Sequence, residues 1–423
     1  MQWNRRGEYN PVEIAEQGEC PSGCSLCYEV CPSHGNTENE TDIGAKRYAG
    51  TPGIKHRSET GYYLSAYAGF SPPHRDRGAS GGMATWMLER LLATGQIDAA
   101  IAVAATDSPA SMFHFTVCRT VDAVRTCSRS AYYPVELSGA IRHVIRNEGR
   151  YAIIGLPCVC KAVRLAQERR RVLGKRITHV LGLACGHQCS KYFAEYVCAR
   201  AGAEPNRLRG ITFRTKDLSQ PASNHQFQCL VEQDGRLVTK PVLWSQGIRD
   251  AFTSGCFQLQ RCFHCDDIFA ECADLCFMDA WLPEYVQDPR GTSLVLARTR
   301  AMDGLLRECG DLKPISVRKV VASQRSVIAE KRRRHSIGER APVLRKRLHA
   351  RFSFLQTHIG TTKRAIARHS PDLWLACGGR LDAFSDGMRD MQGRLARLST
   401  WQRRLLLPLR ITNRVARFLR LTP

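Results

Sequence analysis

The chain has 423 residues, 43% of them hydrophobic and 24% charged, and 62 Lys and Arg against 39 Asp and Glu give a net charge of +23. These proportions are those of a globular protein and exclude a disordered or fibrous chain, and a domain usually holds about 100–200 residues, so two or three units are expected. No apolar run approaches the roughly 18 residues that span a bilayer, and Met1–Glu13 is too polar for a secretory signal, so a cytoplasmic protein is expected.

Residues 1–60 are polar, rich in Gly and Pro and without periodicity, which predicts a segment held by metal or by docking. They contain Cys20-Pro-Ser-Gly-Cys24-Ser-Leu-Cys27-Tyr-Glu-Val-Cys31-Pro32. Bacterial ferredoxins wrap a cubane with C-x2-C-x2-C-x3-C-P, and here only the first gap differs. Reduced cytosolic thiols in such a run point to metal, so Cys20, Cys24, Cys27 and Cys31 are read as ligands of one [4Fe–4S] cluster, with a four-cysteine zinc site as the alternative.

From Gly78 the pattern changes. Ser80-Gly81-Gly82 opens a helix from Met83 to Ala93, stopped by Gly95. Such a turn lets backbone N–H groups approach a phosphate, which makes Ser80, Gly81 and Gly82 candidates for a flavin site. Asp98–Ala104 reads as a buried strand, Ser138–Asn147 as a helix, Tyr151–Leu156 as a strand and Val159–Leu173 as a helix. Ile177–Ala184 is another strand, and Ser190–Ala201 a helix with Ser190 as N-cap. This alternation predicts an α/β fold with a mainly parallel sheet.

Cys158 and Cys185 each follow one of these strands, where open α/β sheets gather their ligands. Cys262 and Cys265 supply a C-x2-C pair from a later loop, and these four thiolates can meet at one point. Cys160, Cys189, Cys256, Cys272 and Cys276 compete for the same role, and spacing alone does not choose among them.

Asp234-Gly235 between Phe227–Gln233 and Arg236–Val242 predicts a hairpin, and Thr292–Thr299 a last strand. Beyond residue 310 the chain reads as basic helices broken near Gly338, Gly360, Gly378-Gly379 and Pro408. Residues 311–423 hold 26 basic and 7 acidic side chains, so nearly all the net charge lies there. Lys331–His335, Arg345–Arg347 and Arg403–Arg420, interleaved with apolar residues, suit peripheral contact with anionic lipid at the inner face of a membrane, or docking to an acidic protein. Nucleic acid ranks below both. The expected organisation is a ferredoxin-like [4Fe–4S] segment over 1–60, a catalytic α/β domain binding FAD and [4Fe–4S] over 61–310, and a basic helical region over 311–423.

Taken in order, GASGG (Gly78–Gly82), YAIIGLPC (Tyr151–Cys158), GLACGH (Gly182–His187), ITFRTK (Ile211–Lys216), CFHCD (Cys262–Asp266), ADLCFMDAWLPEY (Ala273–Tyr285) and GTSLVLART (Gly291–Thr299) resemble the coenzyme F-420 hydrogenase/dehydrogenase beta-subunit family. These iron–sulfur flavoproteins include 7-hydroxymethyl chlorophyll a reductase-like proteins. The resemblance implies FAD beside Ser80, Gly81 and Gly82, and a second [4Fe–4S] cluster on Cys158, Cys185, Cys262 and Cys265. It places Asp279, His187 and Lys216 as catalytic candidates, with Trp281 near the active region. Met278 stands where the family usually has glycine, and the Gly-Trp that usually follows Lys216 is missing.

The function expected is an oxidoreductase relaying electrons from ferredoxin or another donor protein, through two clusters and FAD, to a small organic substrate, in a setting such as polysaccharide biosynthesis. The alternative is an electron-transfer beta subunit of a larger hydrogenase or dehydrogenase complex, without a substrate of its own.

Overall fold

The computed structural model describes residues 1–12, 22–108, 110–309, 311–332 and 353–394, with the side chains of 353–363 left aside. Cys20, Gly338, Pro408 and most of the basic runs, including Arg345–Arg347 and Arg403–Arg420, lie outside the described residues.

Four apolar runs form the parallel centre of an eight-stranded sheet. Ala99–Ala105 pairs with Tyr151–Gly155, which pairs with Ile177–Leu183, which pairs with Leu275–Asp279, all parallel. Antiparallel strands finish both sides: Phe113–Cys118 beyond Ala99–Ala105, and Ser293–Ala297, Ser65–Gly69 and Leu312–Pro314 beyond Leu275–Asp279. The fold is thus the expected α/β class, with a parallel core and antiparallel flanks. Alternate residues of one strand serve opposite faces. Ile153 and Val180 join the core under the helices Ser138–Arg146 and Pro157–Arg169, while Ala152, Ile154 and Leu181 pack with Met83, Met87 and Leu91 of the helix Met83–Ala93. Each fully buried aliphatic side chain contributes about 1.5–3 kcal/mol.

A second core forms against a three-stranded antiparallel sheet of Leu208–Thr215, Gln226–Gln233 and Arg236–Leu243. The hairpin turns at Asp234-Gly235, both left-handed. The helix Tyr192–Arg200 crosses this sheet, starting after Lys191 rather than at Ser190, whose hydroxyl caps nothing. The helix Ser353–Ala376 docks on the same core through Ile366 and Trp374, and Trp374 Nε1 donates to Glu195 at 2.9 Å. Gly360 lies inside that helix and does not break it, whereas the left-handed pair Gly378-Gly379 ends it.

The N-terminal region docks on this body. Tyr48, at the end of the helix Glu40–Tyr48, is buried and donates to Cys272 O at 3.1 Å. Its hydroxyl also meets Asp274, which Arg164 holds at 2.8 Å.

Candidate functional site

The parallel strands deliver the site at their carboxyl ends. Cys158 follows Tyr151–Gly155 in the first turn of the helix Pro157–Arg169, and Cys185 follows Ile177–Leu183, its N–H bonded to Ile268 O at 3.1 Å. Cys262 and Cys265 come from the 3-10 turn Gln260–His264 and its C-cap, and Gln188 N–H donates to Cys262 Sγ at 3.4 Å.

These four thiols lie within electrostatic reach of one another. Burial pushes the Cys185 thiol up, Cys262, Cys158 and Cys265 push it further, and Lys331 opposes them. Burial likewise lifts Cys262, and it lifts Cys265 to about 11 against the pull of Lys331. The four are half-buried, whereas Cys160, Cys189, Cys256, Cys272 and Cys276 are fully buried among apolar side chains. Among the described residues no three His, Cys, Asp or Glu side chains close on one point as they do around a single ion. Four soft donors within reach of one another, with Lys331 and Arg261 beside them, have the chemistry that an iron–sulfur cluster takes.

Of the first cysteine run, Cys24 and Cys27 are exposed and Cys31 is half-buried, around the short helix Leu26–Glu29. Glu29 pairs with Arg169 at 2.9 Å, tying this loop to the helix Pro157–Arg169 that carries Cys158 in its first turn. Arg261 joins the two groups, since Cys158, Cys262, Cys265 and Cys31 all stabilise its charge.

A cleft of about 400 Å³, including the space open to solvent, lies at the end of the Leu275–Asp279 strand. Ser80, Lys216 and Asp279 line it. Ser80 Oγ donates to Thr292 O at 2.7 Å. Gly81 and Gly82 support this wall from behind: a Cβ on Gly81 would stand 2.6 Å from Gly69 O, and one on Gly82 2.7 Å from the His74 backbone. Lys216 Nζ donates to the carbonyls of Arg75, Ser80 (2.8 Å) and Arg290 (2.5 Å), tying the glycine turn to the opposite loop. Burial, with Arg75 nearby, lowers the Lys216 pKa to about 8.

Asp279 faces Arg214 across the cleft floor. The strand Leu208–Thr215 slips register between Thr212 and Thr215, and Arg214 takes a left-handed φ of 58°. The bulge turns its guanidinium out of the ladder toward Asp279 and within 5.5 Å of the Trp281 ring. Burial opposes the charge on Arg214, but Asp279 and Tyr132 hold its pKa above its ordinary value.

His187, the third catalytic candidate, is placed elsewhere. It stacks on Phe252 with ring centroids 3.9 Å apart, and it is not among the residues of the cleft. His225 does line the cleft, stacked on Trp244, and burial beside Arg214 holds its pKa well below the ordinary range, so its imidazole is neutral. Sequence reasoning missed His225 and the role of Arg214. A solitary histidine before a hairpin strand carries no signal, and a bulge is invisible in composition.

Comparison with known proteins adds the lineage. The family described as "Coenzyme F420 hydrogenase/dehydrogenase, beta subunit" matches in two parts: the model of its N-terminal part covers residues 65–142, and the model of its C-terminal part covers residues 148–322. Together they take in more than half of the chain, with both walls of the cleft and Cys158, Cys185, Cys262 and Cys265, but not the first cysteine run. One subunit of the F(420)H(2) dehydrogenase of Methanosarcina mazei is 23% identical over 181 residues, 42% of this chain. The chain spans 45% of the length of that relative. A chain of the F-420-reducing [NiFe] hydrogenase complex from Methanosarcina barkeri shares the fold, with a TM-score of 0.50 at 17% identity, over 68% of this chain and 96% of that one.

Proposed function

The chain belongs to the coenzyme F-420 hydrogenase/dehydrogenase beta-subunit family, and we propose that it is an electron-transfer subunit of a larger redox assembly, carrying two [4Fe–4S] clusters and FAD. One cluster is assigned to Cys20, Cys24, Cys27 and Cys31, the other to Cys158, Cys185, Cys262 and Cys265. The observation that supports this reading is that Cys158 and Cys185 follow two parallel strands at their carboxyl ends, within electrostatic reach of Cys262 and Cys265, with Arg261 in reach of both this group and Cys31. Bound clusters supply one-electron steps, and a flavin joins these to two-electron chemistry.

The chain's own residues define what can be held there. The sulfurs of Cys158, Cys185, Cys262 and Cys265 would hold the cluster, and the raised pKa values of Cys185, Cys262 and Cys265 mean that binding would have to displace their protons. In the cleft, Lys216 offers positive charge, Arg214 carries one that Asp279 balances, and Trp281 and Tyr285 offer ring surfaces, which suit a planar, electron-accepting heterocycle. A second cleft lies behind the same segment, lined by Arg77, Thr85 and Ser128, whose donors suit phosphate, and by Arg125, which Glu89 and Asp122 already hold. That pairing supports FAD around the Gly78–Gly82 turn.

A second reading is favoured by the cleft itself. Its polar floor of Arg214, Asp279 and neutral His225 suits an organic substrate reduced on this chain, fed by ferredoxin on the cytoplasmic side. Of the proton-handling candidates from sequence, Lys216, Asp279 and His187, the first two border the cleft and His187 does not. Sugars and lipid-linked intermediates are the substrates to screen first.

Anaerobic purification followed by iron, sulfide and flavin analysis tests the proposal. About eight irons and one FAD per chain are expected, and fewer than about six irons would refute the two-cluster assignment. Turnover by the isolated chain with reduced ferredoxin would favour the second reading over the subunit role.

A further inference from the structure

The basic run that begins at Lys331 divides at its first residue. Arg332 stays at the surface, bonded to Ser58. Lys331 turns inward and is only 1% exposed. Its Nζ lies 3.4 Å from Cys265 Sγ and 2.7 Å from the backbone carbonyl of Asp267. A buried ammonium costs several kcal/mol unless it is matched by negative charge and hydrogen bonds, and its hydrogen-bond partners here are a thiol sulfur and one carbonyl. Cys185, the Asp267 carboxyl and Cys262 are also within reach of its charge. The residue lies beyond both matched family regions, which end at residue 322.

We infer that Lys331 is a positioning residue that raises the reduction potential of the cluster held by Cys158, Cys185, Cys262 and Cys265. The inference rests on the ligand set proposed above. Reduction adds one electron to the cluster, makes or breaks no covalent bond, and leaves the Lys331 proton in place. The reduced form carries one more negative charge, so a fixed ammonium against the Cys265 sulfur stabilises it more than the oxidised form. Hydrogen bonds to the sulfurs and local charge are the levers by which a protein sets such a potential. The carbonyl of Asp267 holds Nζ in place, so the charge cannot swing to solvent.

The test is an electron-paramagnetic-resonance redox titration of the full chain, purified anaerobically, as wild type and as Lys331→Met, Lys331→Gln and Lys331→Arg. The signal of this cluster is identified as the one that Cys185→Ser removes. At a solution potential fixed at the wild-type midpoint, Lys331→Met should lower the ratio of reduced to oxidised cluster about tenfold, equivalent to 59 mV for one electron. Lys331→Arg, which keeps the charge, should stay within about twofold of wild type. Lys331→Gln, which keeps a donor without charge, should fall between them and supplies the measurement if the methionine variant does not retain its iron. An unmoved midpoint in the uncharged variants with iron retained would overturn the inference, as would an arginine variant shifted as far as the methionine one. A wild-type chain with no second cluster would instead overturn the ligand set, and the role of Lys331 with it.

Discussion

Arg214 and Asp279 meet as a two-pronged ion pair, Nη1 to Oδ2 at 2.7 Å and Nη2 to Oδ1 at 2.8 Å, and join the three-stranded sheet to the end of the central one. Their side chains are 7% and 20% exposed, so the pair is largely withdrawn from water. Both prongs are charge-assisted and geometrically matched, the strong form of this interaction. Both carboxylate oxygens are engaged by the arginine, so the principal work of Asp279 is to hold Arg214 in the cleft.

Replacing Asp279 with Asn should therefore destabilise the protein, because it leaves a buried guanidinium without a counter-charge. A fully buried pair broken in this way costs about 3–5 kcal/mol, and the residual exposure of Asp279 puts the expectation at about 2–4 kcal/mol. Denaturant unfolding of Asp279→Asn against wild type measures it. Unchanged stability with lost turnover would assign Asp279 to proton transfer instead.

Much of this arrangement is legible in the chain. The helix Met83–Ala93 has the bounds that its glycine punctuation predicts, and the three strands before Cys158, before Cys185 and over Ala99–Ala105 are marked by apolar runs ended by Pro, Cys or polar residues. The antiparallel flanks are harder to read. Ser65–Gly69 is a short run, mostly of small residues, buried between two neighbours, and Phe113–Cys118 lacks clean alternation. Arg214 reaches the cleft only through a register slip, which depends on the partner strand and leaves no local mark. Glycine weakens helices, and on that ground Gly360 predicts a break. The helix nevertheless runs through it and docks on the body by Ile366 and Trp374, and such packing outweighs a penalty of about 1 kcal/mol.

Lys216 carries a pH dependence. Its pKa in the fold is about 8, below the ordinary 10.5, chiefly because burial disfavours the ammonium. Between these values the unfolded chain binds the proton more fully than the folded one, so this lysine makes stability rise as pH climbs from about 8 toward 10.5. The cost of charging it is fully present below about pH 8. Subtracting the unfolding free energy of Lys216→Met from that of wild type removes the other titrating groups, and the difference should increase over that window. A flat difference would mean that the three carbonyls around Nζ offset burial completely.

Gly81 tests the wall behind the cleft. An added methyl would stand 2.6 Å from Gly69 O and 2.7 Å from Ser293 N, backbone atoms of two paired strands that cannot yield separately. Gly81→Ala should cost about 1–3 kcal/mol and reduce the flavin retained on purification. Gly139, in the helix Ser138–Arg146 with open space around its Cα, is the control. Gly139→Ala should leave flavin content unchanged and stabilise by about 0.5–1 kcal/mol. Thermal melting and flavin absorbance of the two variants separate a close-approach role for Gly81 from a general intolerance of the helix-forming alanine.

The cysteines sort by exposure and company, and iron content should follow that sorting. Cys185→Ser should lower iron from about eight to about four per chain, because one missing thiolate opens the cubane corner it would ligate. Cys24→Ser should remove about four irons of the other cluster and leave the signal assigned to Cys185 intact, since the exposed loop around Cys24 is a separate element tied to the body through Glu29 and Arg169. Cys160 is the informative contrast. It lies two residues after Cys158, but its sulfur faces the carbonyls of Gly155 at 3.6 Å and Leu181 at 3.5 Å inside the core. A serine hydroxyl can donate to the same oxygens, so Cys160→Ser should fold and keep all of its iron. Loss of about four irons from Cys160→Ser with Cys158→Ser unaffected would transfer the ligand role between two positions that sequence spacing alone leaves equal.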